Sequence, residues 1–437
     1  MRTPIVDSMK DRLMAGVDAA GKLGASAAKI ALAHGEGRSC EFESGKLKAA
    51  DSQETLSYTV SVVVDGRSGS TSGNRAEDVE LMVERAVELA RVGSNAHFET
   101  YPAPKPFVSV PKHSESTLSL TRERMIEAGH EIVDRLKSVD PELDIGAGAG
   151  LSDSEGIMVT SGGVCRATTG TSWSLYGGIQ RTQGTDMLFS QAWRSWCELN
   201  ELFDPAWICE RIERDLRWAA DVADPPKGDV PVYLPPSTLG MFLSPVLAGL
   251  NGRSVAKGTS PLQEHLGEEY FTKDLTIIDE PHIPYCPQAA TMDSAGIPTQ
   301  RTALIEKGII RTFLYDLDSA GLAGAEPTGH AGCSPYFPLV SPGTEMTSDE
   351  LLRSIDDGLY ISQLLGFGQS NIGNGDFSSN VALGYRIRNG RIVGRVKDTM
   401  VAGNLFEIFK NPVRLSTDVE PQSRLPHAVV SGVSISS

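Results

Sequence analysis

The segment Ala128–Arg135 reads AGHEIVDR. His130 followed by Glu131 is how a zinc-peptidase helix begins, with an imidazole to hold the ion and a carboxylate to activate its water. The second imidazole of such a helix is due one turn later, and there the chain has Asp134. The apolar positions Met125, Ile126, Ile132, Val133 and Leu136 predict a helix over roughly 120–137. His130 and Glu131 then fall on a solvated face, with Asp134 set against Arg135 or Lys137.

Two further His/Cys pairs could do chemistry: His282 with Cys286 in PHIPYCPQ, and His330 with Cys333 in PTGHAGCSP. If the two loops met, they could furnish four ligands to a structural zinc, although such spacing also arises by accident in loops. Cys333 and His330 could alternatively act as a nucleophile and its base. The run GAGAG (146–150) lacks the Gly-Lys-Ser/Thr of a P-loop, and the third glycine of a dinucleotide fingerprint falls on Leu151. It reads as a strand-to-loop transition. No Gly-x-Ser-x-Gly elbow anchors serine hydrolase chemistry. Trp173, Trp193, Trp196, Trp207 and Trp218 fall close together in sequence, as core or interface packing or as the wall of a peptide groove.

The elements that must position these residues follow from periodicity. Met9, Leu13 and Val17 recur at helical spacing, and Ala27–Ala33 reads as a strand. In TLSYTVSVVV (55–64) the residues Leu56, Tyr58, Val60 and Val62 share a face, and Asp65-Gly66 turns a hairpin. Asn74 with Glu77 suggests a capping box for a helix over 75–91. The proline-rich stretch 101–112 must cross as a loop. Alternating segments between 157 and 196 read as antiparallel strands, and Asp204-Pro205 opens a helix reaching about Ala220. Prolines and turn residues in 223–236 mark a boundary near Pro225–Gly228. Beyond it, hairpins are expected at Lys307-Gly308 and Asn389-Gly390, and Thr347 with Glu350 caps a helix carrying Leu351, Leu352, Ile355 and Leu359 inward. The fold class is α+β in two domains: residues 1–224 as an α/β domain with helices packed on a sheet, and residues 229–437 as a β-rich domain with antiparallel sheet.

At 437 residues, one core is too few. The 40 basic against 56 acidic side chains leave a net charge of −16, which repels a phosphate backbone, so no nucleic-acid partner is expected. No apolar run of about 18 residues occurs and the first residues lack the apolar block of a signal peptide, which points to the cytoplasm rather than a membrane. The six cysteines contain no Cys-x-x-Cys and suit reduced thiols.

A series of segments beyond Pro231 resembles the TldD/PmbA family, whose PmbA branch is also called TldE and whose older label is modulator of DNA gyrase. These are VAKGTSPL (255–262), DSAGIPTQRTALIEKGIIRTFLYD (293–316), PTGHAG (327–332), GDFSSNVALGYRIRNGRIVG (375–394) and VAGNLFEIF (401–409). VDGRSGSTSGN (64–74) extends the likeness more loosely into the first domain. The resemblance implies a zinc peptidase in the TldD branch, with His-Glu-x-x-x-His on a helix before the Lys-Gly-Thr-Ser stretch and a cysteine near the C-terminus. Counting back from Lys257, those positions here hold Leu243, Ser244 and Ala248, and no cysteine follows Val419. This departure places the chain beside the TldE-like branch. The expectation is then a subunit without its own catalytic residues or metal, paired with a TldD-like chain that carries the zinc, for cutting or maturing unfolded peptides. Gly375, Asp376, Phe377 and Ser378 are the candidate contact to a peptide backbone. A catalytically silent homodimeric peptide-binding scaffold and an independent Cys-His hydrolase are the alternatives.

Overall fold

The computed structural model describes residues 5–369 and 372–437. In the first half, α1 (Ile5–Lys22) leads into β1 (Ala25–Glu43), β2 (Lys46–Val64) and β3 (Arg67–Gly73), followed by α2 (Val79–Ala90). Then come α3 (Glu115–Leu118), α4 (Arg122–Val139), the long strands β4 (Asp144–Thr160), β5 (Cys165–Gln183) and β6 (Asp186–Trp196), and α5 (Pro205–Trp218). The strands form one antiparallel sheet in the order β3-β2-β1-β4-β5-β6.

Side chains along a strand alternate between faces, so one register decides which residues meet the helices. Ala28, Ile30 and Leu32 at one end of β1 pack with α1 and α2, and Cys40 and Phe42 at the other end pack with α4 and α5. All four helices therefore cover one face. On the opposite face, Ala27 and Val63 are covered by Tyr101 and Ala295, and Lys29 donates to the Ser294 carbonyl at 2.9 Å. Further along that face stand small residues such as Gly35, Gly37, Gly150 and Ser172, which line an open depression.

Local signals account for several element ends. Asp65 and Gly66 both take positive φ in the β2–β3 turn, Thr121 accepts from Arg124 N to open α4, and Asp204 accepts from Ala206 N to open α5. Others differ from expectation. Asn74 caps nothing: a short 3-10 turn over Ala76–Asp78 precedes α2 with Arg75 at its N-cap, and Glu77 accepts from Arg75 instead. GAGAG lies inside β4 and is no strand-to-loop transition, because pairing with β5 runs through Gly146, Gly148 and Gly150, and pairing with β1 runs from Ala147 through Gly148 and Gly150. Arg135 pairs with Glu213 of α5 and Lys137 donates to the Pro141 and Leu143 carbonyls, so neither opposes Asp134.

The second half begins with β7 (Val232–Leu234), α6 (Pro236–Gly249) and α7 (Gly252–Ala256). A small sheet follows in the order β10-β9-β8-β11, from β8 (Ile277–Asp279), β9 (Thr302–Glu306), β10 (Ile309–Ile310) and β11 (Pro338–Val340), with α8 (Leu317–Ala323) between the last two. After α9 (Ser348–Arg353) come β12 (Asp357–Leu365), β13 (Asp376–Arg388), β14 (Arg391–Arg395), β15 (Met400–Asn404), α10 (Leu405–Ile408), β16 (Arg414–Val419), β17 (Pro426–Val430) and β18 (Ser434–Ser436). With β7 these strands build a larger sheet ordered β16-β17-β7-β12-β13-β15-β18, β14 pairing β13. It is antiparallel except for β7 beside β12. The Thr347–Glu350 capping box forms, but α9 stops at Arg353 and Leu359 belongs to β12. The reason is Gly358: a Cβ there would meet the Pro231 carbonyl at 2.7 Å, and this close approach of β12 to β7 begins the strand. The molecule is α+β, with an N-terminal α/β part and a C-terminal β-rich part.

The larger sheet is buried on both faces. Val232, Leu234, Leu359 and Ile361 face α6, whereas Tyr233, Tyr360 and Tyr385 join the core that includes α4 and α5. Trp218 closes that second contact, edge-on to Tyr360 and Tyr385 with centroids at 5.3 Å, and the Tyr385 hydroxyl donates to the Asp215 carbonyl at 3.2 Å. Arg395 adds a bond to the Met187 carbonyl at 2.8 Å and an ion pair with Asp186 at 3.2 Å. Nearby, Tyr233 donates to the Ser348 carbonyl (3.1 Å) and lies 2.9 Å from His427 Nδ1. Burial pushes the His427 imidazole down to about 4.

Two outcomes follow from this shared core. Trp218→Ala should cost about 3 kcal/mol and broaden or split the urea transition, because the cavity opens where the two halves meet. His427 is neutral in the folded protein and titrates near 6.5 once unfolded, so its contribution to stability falls as pH drops from about 6.5 towards 4. His427→Gln should flatten that part of the stability profile, measured by urea unfolding at pH 7 and pH 5.

Candidate functional site

Helix α6 starts with Pro236 in its first turn, where a missing N–H costs nothing, and Thr238 donates to the Ile361 carbonyl at 3.0 Å. Leu239, Phe242, Leu243 and Val246 are buried and anchor α6 on the larger sheet. Ser244 and Ala248, one turn apart, are exposed. At the end of α6 the chain folds back, Ser260 donating to the Gly249 carbonyl at 2.5 Å. This fixes the Lys257–Ser260 stretch against the helix.

Leu243, Ser244 and Ala248 are the residues that the resemblance sets against a metal-binding His-Glu-x-x-x-His. Leu243 is sealed in the core, and the exposed pair offers one hydroxyl and one methyl group. Zinc takes thiolate, imidazole or carboxylate donors, so this donor set does not fit it.

Gly375–Ser378 stands at the start of β13. Gly375 has φ +83 and a Cβ there would overlap the Phe406 ring, so only glycine suits this corner. Asn404 organises it: its Nδ2 donates to Asp376 Oδ1 (2.8 Å) and to the Asn374 carbonyl (2.9 Å), while Oδ1 accepts from Phe406 N and Glu407 N to cap α10. Leu405 N donates to the Gly375 carbonyl at 2.8 Å. Phe377 is buried against Phe242 and Phe367, whereas Asp376 and Ser378 are exposed. Phe377 and Phe242 thus connect this corner directly to α6.

The four His/Cys positions take separate partners. His282 Nε2 lies 2.9 Å from Thr299 Oγ1, and Cys286 Sγ contacts Gln288 Oε1 at 3.2 Å. His330 is held between Thr328 Oγ1 (2.9 Å) and Asp279 Oδ2 (3.1 Å), and Cys333 Sγ lies 3.1 Å from Ser319 Oγ. Their ligand atoms do not converge, and the His330 ring turns to Asp279 and not to Cys333. Among the described residues the one converging group is His34, Glu36 and Glu54, with ligand atoms within 4.8 Å. His34 Nε2 lies 3.0 Å from Glu54 and its Nδ1 3.5 Å from Glu155, on neighbouring strands. Sequence reading missed it because the three come together only through the β1–β2 register.

His130 and Glu131 are exposed on α4, His130 edge-on to Phe42 (centroids 4.9 Å) and Glu131 bonded to Arg124 at 2.6 Å. Of the five tryptophans, Trp173 and Trp196 are buried, Trp207 lies under Arg194, and Trp218 packs between the halves. Trp193 alone among them is largely open, at 59% exposure.

Two family models match the chain, described as the PmbA/TldA metallopeptidase C-terminal domain over residues 227–437 and PmbA/TldA metallopeptidase domain 1 over residues 28–90. Metalloprotease PmbA of Escherichia coli O157:H7 is 23% identical over 415 residues, 91% of this chain and 89% of that protein. A metalloprotease PmbA homologue of Haemophilus influenzae is 28% identical over 254 residues, 58% of this chain and 55% of that one. Against the first curated relatives the chain spans about half their length, with 49%, 55% and 44% covered. Among solved structures, a Bacteroides thetaiotaomicron protein described as a candidate modulator of DNA gyrase superposes with a TM-score of 0.88 at 24% identity, covering both chains fully. TldE from Thermococcus kodakarensis gives 0.87 at 21% identity, with 98% of this chain and 100% of that one covered. At these identities the structural likeness speaks to the fold.

Asn404→Ala removes the α10 cap and the tether on Asp376 together. A loss of about 1–2 kcal/mol is expected, with faster hydrogen exchange at Leu405 N, which donates to Gly375.

Proposed function

The chain belongs to the TldD/PmbA family, and from that premise we propose that it is a TldE-like subunit which handles extended peptides beside a zinc-carrying TldD-like partner. The carrying observation is α6, where Leu243, Ser244 and Ala248 stand in place of metal donors. A helix with this surface neither holds an ion nor makes its water nucleophilic. The family's hydrolytic step then falls to the partner chain, and no step is assigned to residues here.

The role left to this chain is to hold the substrate. Gly375–Ser378 lies beside α6 through the Phe242–Phe377 contact, at 5.2 Å between centroids. On one side, Asp376–Asn380 pairs with β15; on the other, among the described residues, the register with β12 reaches only to Asn380 opposite Leu365. An extended peptide could align there by main-chain hydrogen bonds, which tolerate many sequences. The acidic surface, net −16, is unsuited to direct contact with nucleic acid. No described helix is long and apolar enough to cross a membrane.

The test is co-expression with a chain carrying His-Glu-x-x-x-His, followed by pull-down, metal analysis and peptide cleavage. The complex should recover about one zinc per metal-binding chain and cut an unstructured peptide in a chelator-sensitive way. The purified chain alone should do neither. Stoichiometric zinc and cleavage by this chain alone would overturn the proposal, and a homodimer that ignores the partner would favour a silent scaffold.

A further inference from the structure

The open face of the six-stranded sheet holds a second feature, at the end opposite the loop around Ala295. Cross-strand register places Glu41 beside Gly148, Gly148 beside Tyr176, and Tyr176 beside Trp193. The next rows on the same face run Gly146–Gly178–Gln191 and Asp144–Gln180–Phe189. The result is a trough of about 580 Å³ with glycine on its floor, carboxylates along β1 and the start of β4, and aromatic rings on β5 and β6.

Beside that floor, Gly148 is glycine for a steric reason. A Cβ on Gly148 would lie 2.5 Å from Tyr176 Cε1, so the phenol ring leans over bare backbone towards the acidic side. The other wall is costly in water: Tyr176, Phe189 and Trp193 are 39%, 46% and 59% exposed on adjoining positions. Glu43 is paired with Lys48. No Lys, Arg or His lines the trough among the described residues.

Aromatic faces opposite carboxylates select one chemistry. A cation attached to an apolar stem gains from ring quadrupoles on one side and from charge on the other, while its stem covers exposed ring. An anion is repelled, and a purely apolar group leaves the carboxylates without partners. We infer that the Tyr176–Trp193 trough is a binding site for an arginine or lysine side chain of an extended peptide. This rests on the peptide-handling reading above and adds a side-chain preference to it, at a place remote in sequence from Gly375–Ser378. Gln363 of β12 also lines the trough, so a bound peptide would touch both halves of the molecule.

The experiment uses the full chain and a labelled, unstructured decapeptide with one central arginine, compared with its citrulline twin by fluorescence anisotropy. Arginine should bind about tenfold more tightly, and the gap should narrow with salt. Glu41→Gln with Asp144→Asn, or Trp193→Ala, should erase that gap while circular dichroism stays unchanged. Equal binding of the twins to the unaltered chain would sink the trough and leave peptide handling intact. If neither peptide binds, the peptide reading fails, and the trough is judged on N-acetyl-arginine methylamide alone: it should quench tryptophan fluorescence, and Trp193→Phe should abolish the quenching. Absence of that quenching overturns the site.

Discussion

Everything in the first half depends on one geometric constraint, the two-residue alternation of side chains along very long strands. In β1 the even positions from Ala28 to Phe42 face four helices, and the odd positions face away. A one-residue slip would send Ile30, Leu32 and Phe42 to the open face and bury Lys29, Glu41 and Glu43. Register is therefore fixed by a large hydrophobic penalty at both ends of the strand at once. The middle can then carry His34, Glu36 and Arg38 on the helix side, and Gly35 and Gly37 on the other, without losing its place.

The second constraint is that the larger sheet is covered twice. Strands buried on both faces read as nearly continuous apolar runs, and VYL in β7 and GLYI in β12 do so. One cover is α6 and the other is the α5 end of the first half. Positioning of α6, and hence of Ser244 and Ala248, is coupled through the same strands to Trp218 and Tyr385. The boundary expected near Pro225–Gly228 falls in the segment between α5 and β7, and apolar packing passes around it.

Local chemistry was legible in the sequence and long-range register was not. The turns at Asp65-Gly66, Lys307-Gly308 and Asn389-Gly390 each adopt positive φ at both positions, which Asp65, Asn389 and the three glycines suit and which Lys307 takes against its own preference. Thr347 and Asp204 cap as their side chains allow. Asn74 did not, because Arg75 takes the cap position and binds Glu77. GAGAG was misread because its alternation, alanine to the core and glycine to the open face, differs by a single methyl group and lacks the polar/apolar contrast that marks a strand. The Glu41–Trp193 row was invisible for a deeper reason: it needs three successive pairings, β1 with β4, β4 with β5 and β5 with β6, and each depends on the apolar face that none of its members belongs to.

That dependence also explains why Trp193 could not be told from its neighbours. Trp173 and Trp193 both lie on strands and both follow small or polar residues, yet Trp173 is 1% exposed and donates to the Glu198 carbonyl. Opposite Trp173, at register, stands Trp196 on β6, whereas Trp193 stands opposite Tyr176. The odd offset between 193 and 196 sends the two β6 rings to opposite faces. Trp196 thereby joins the helix-covered core, and Trp193 is left over the glycine floor. At 59% exposure that indole gains far less from folding than Trp173, since its full burial would require the sheet's bare face to be filled. The Trp193 side chain therefore contributes little to what holds the sheet together.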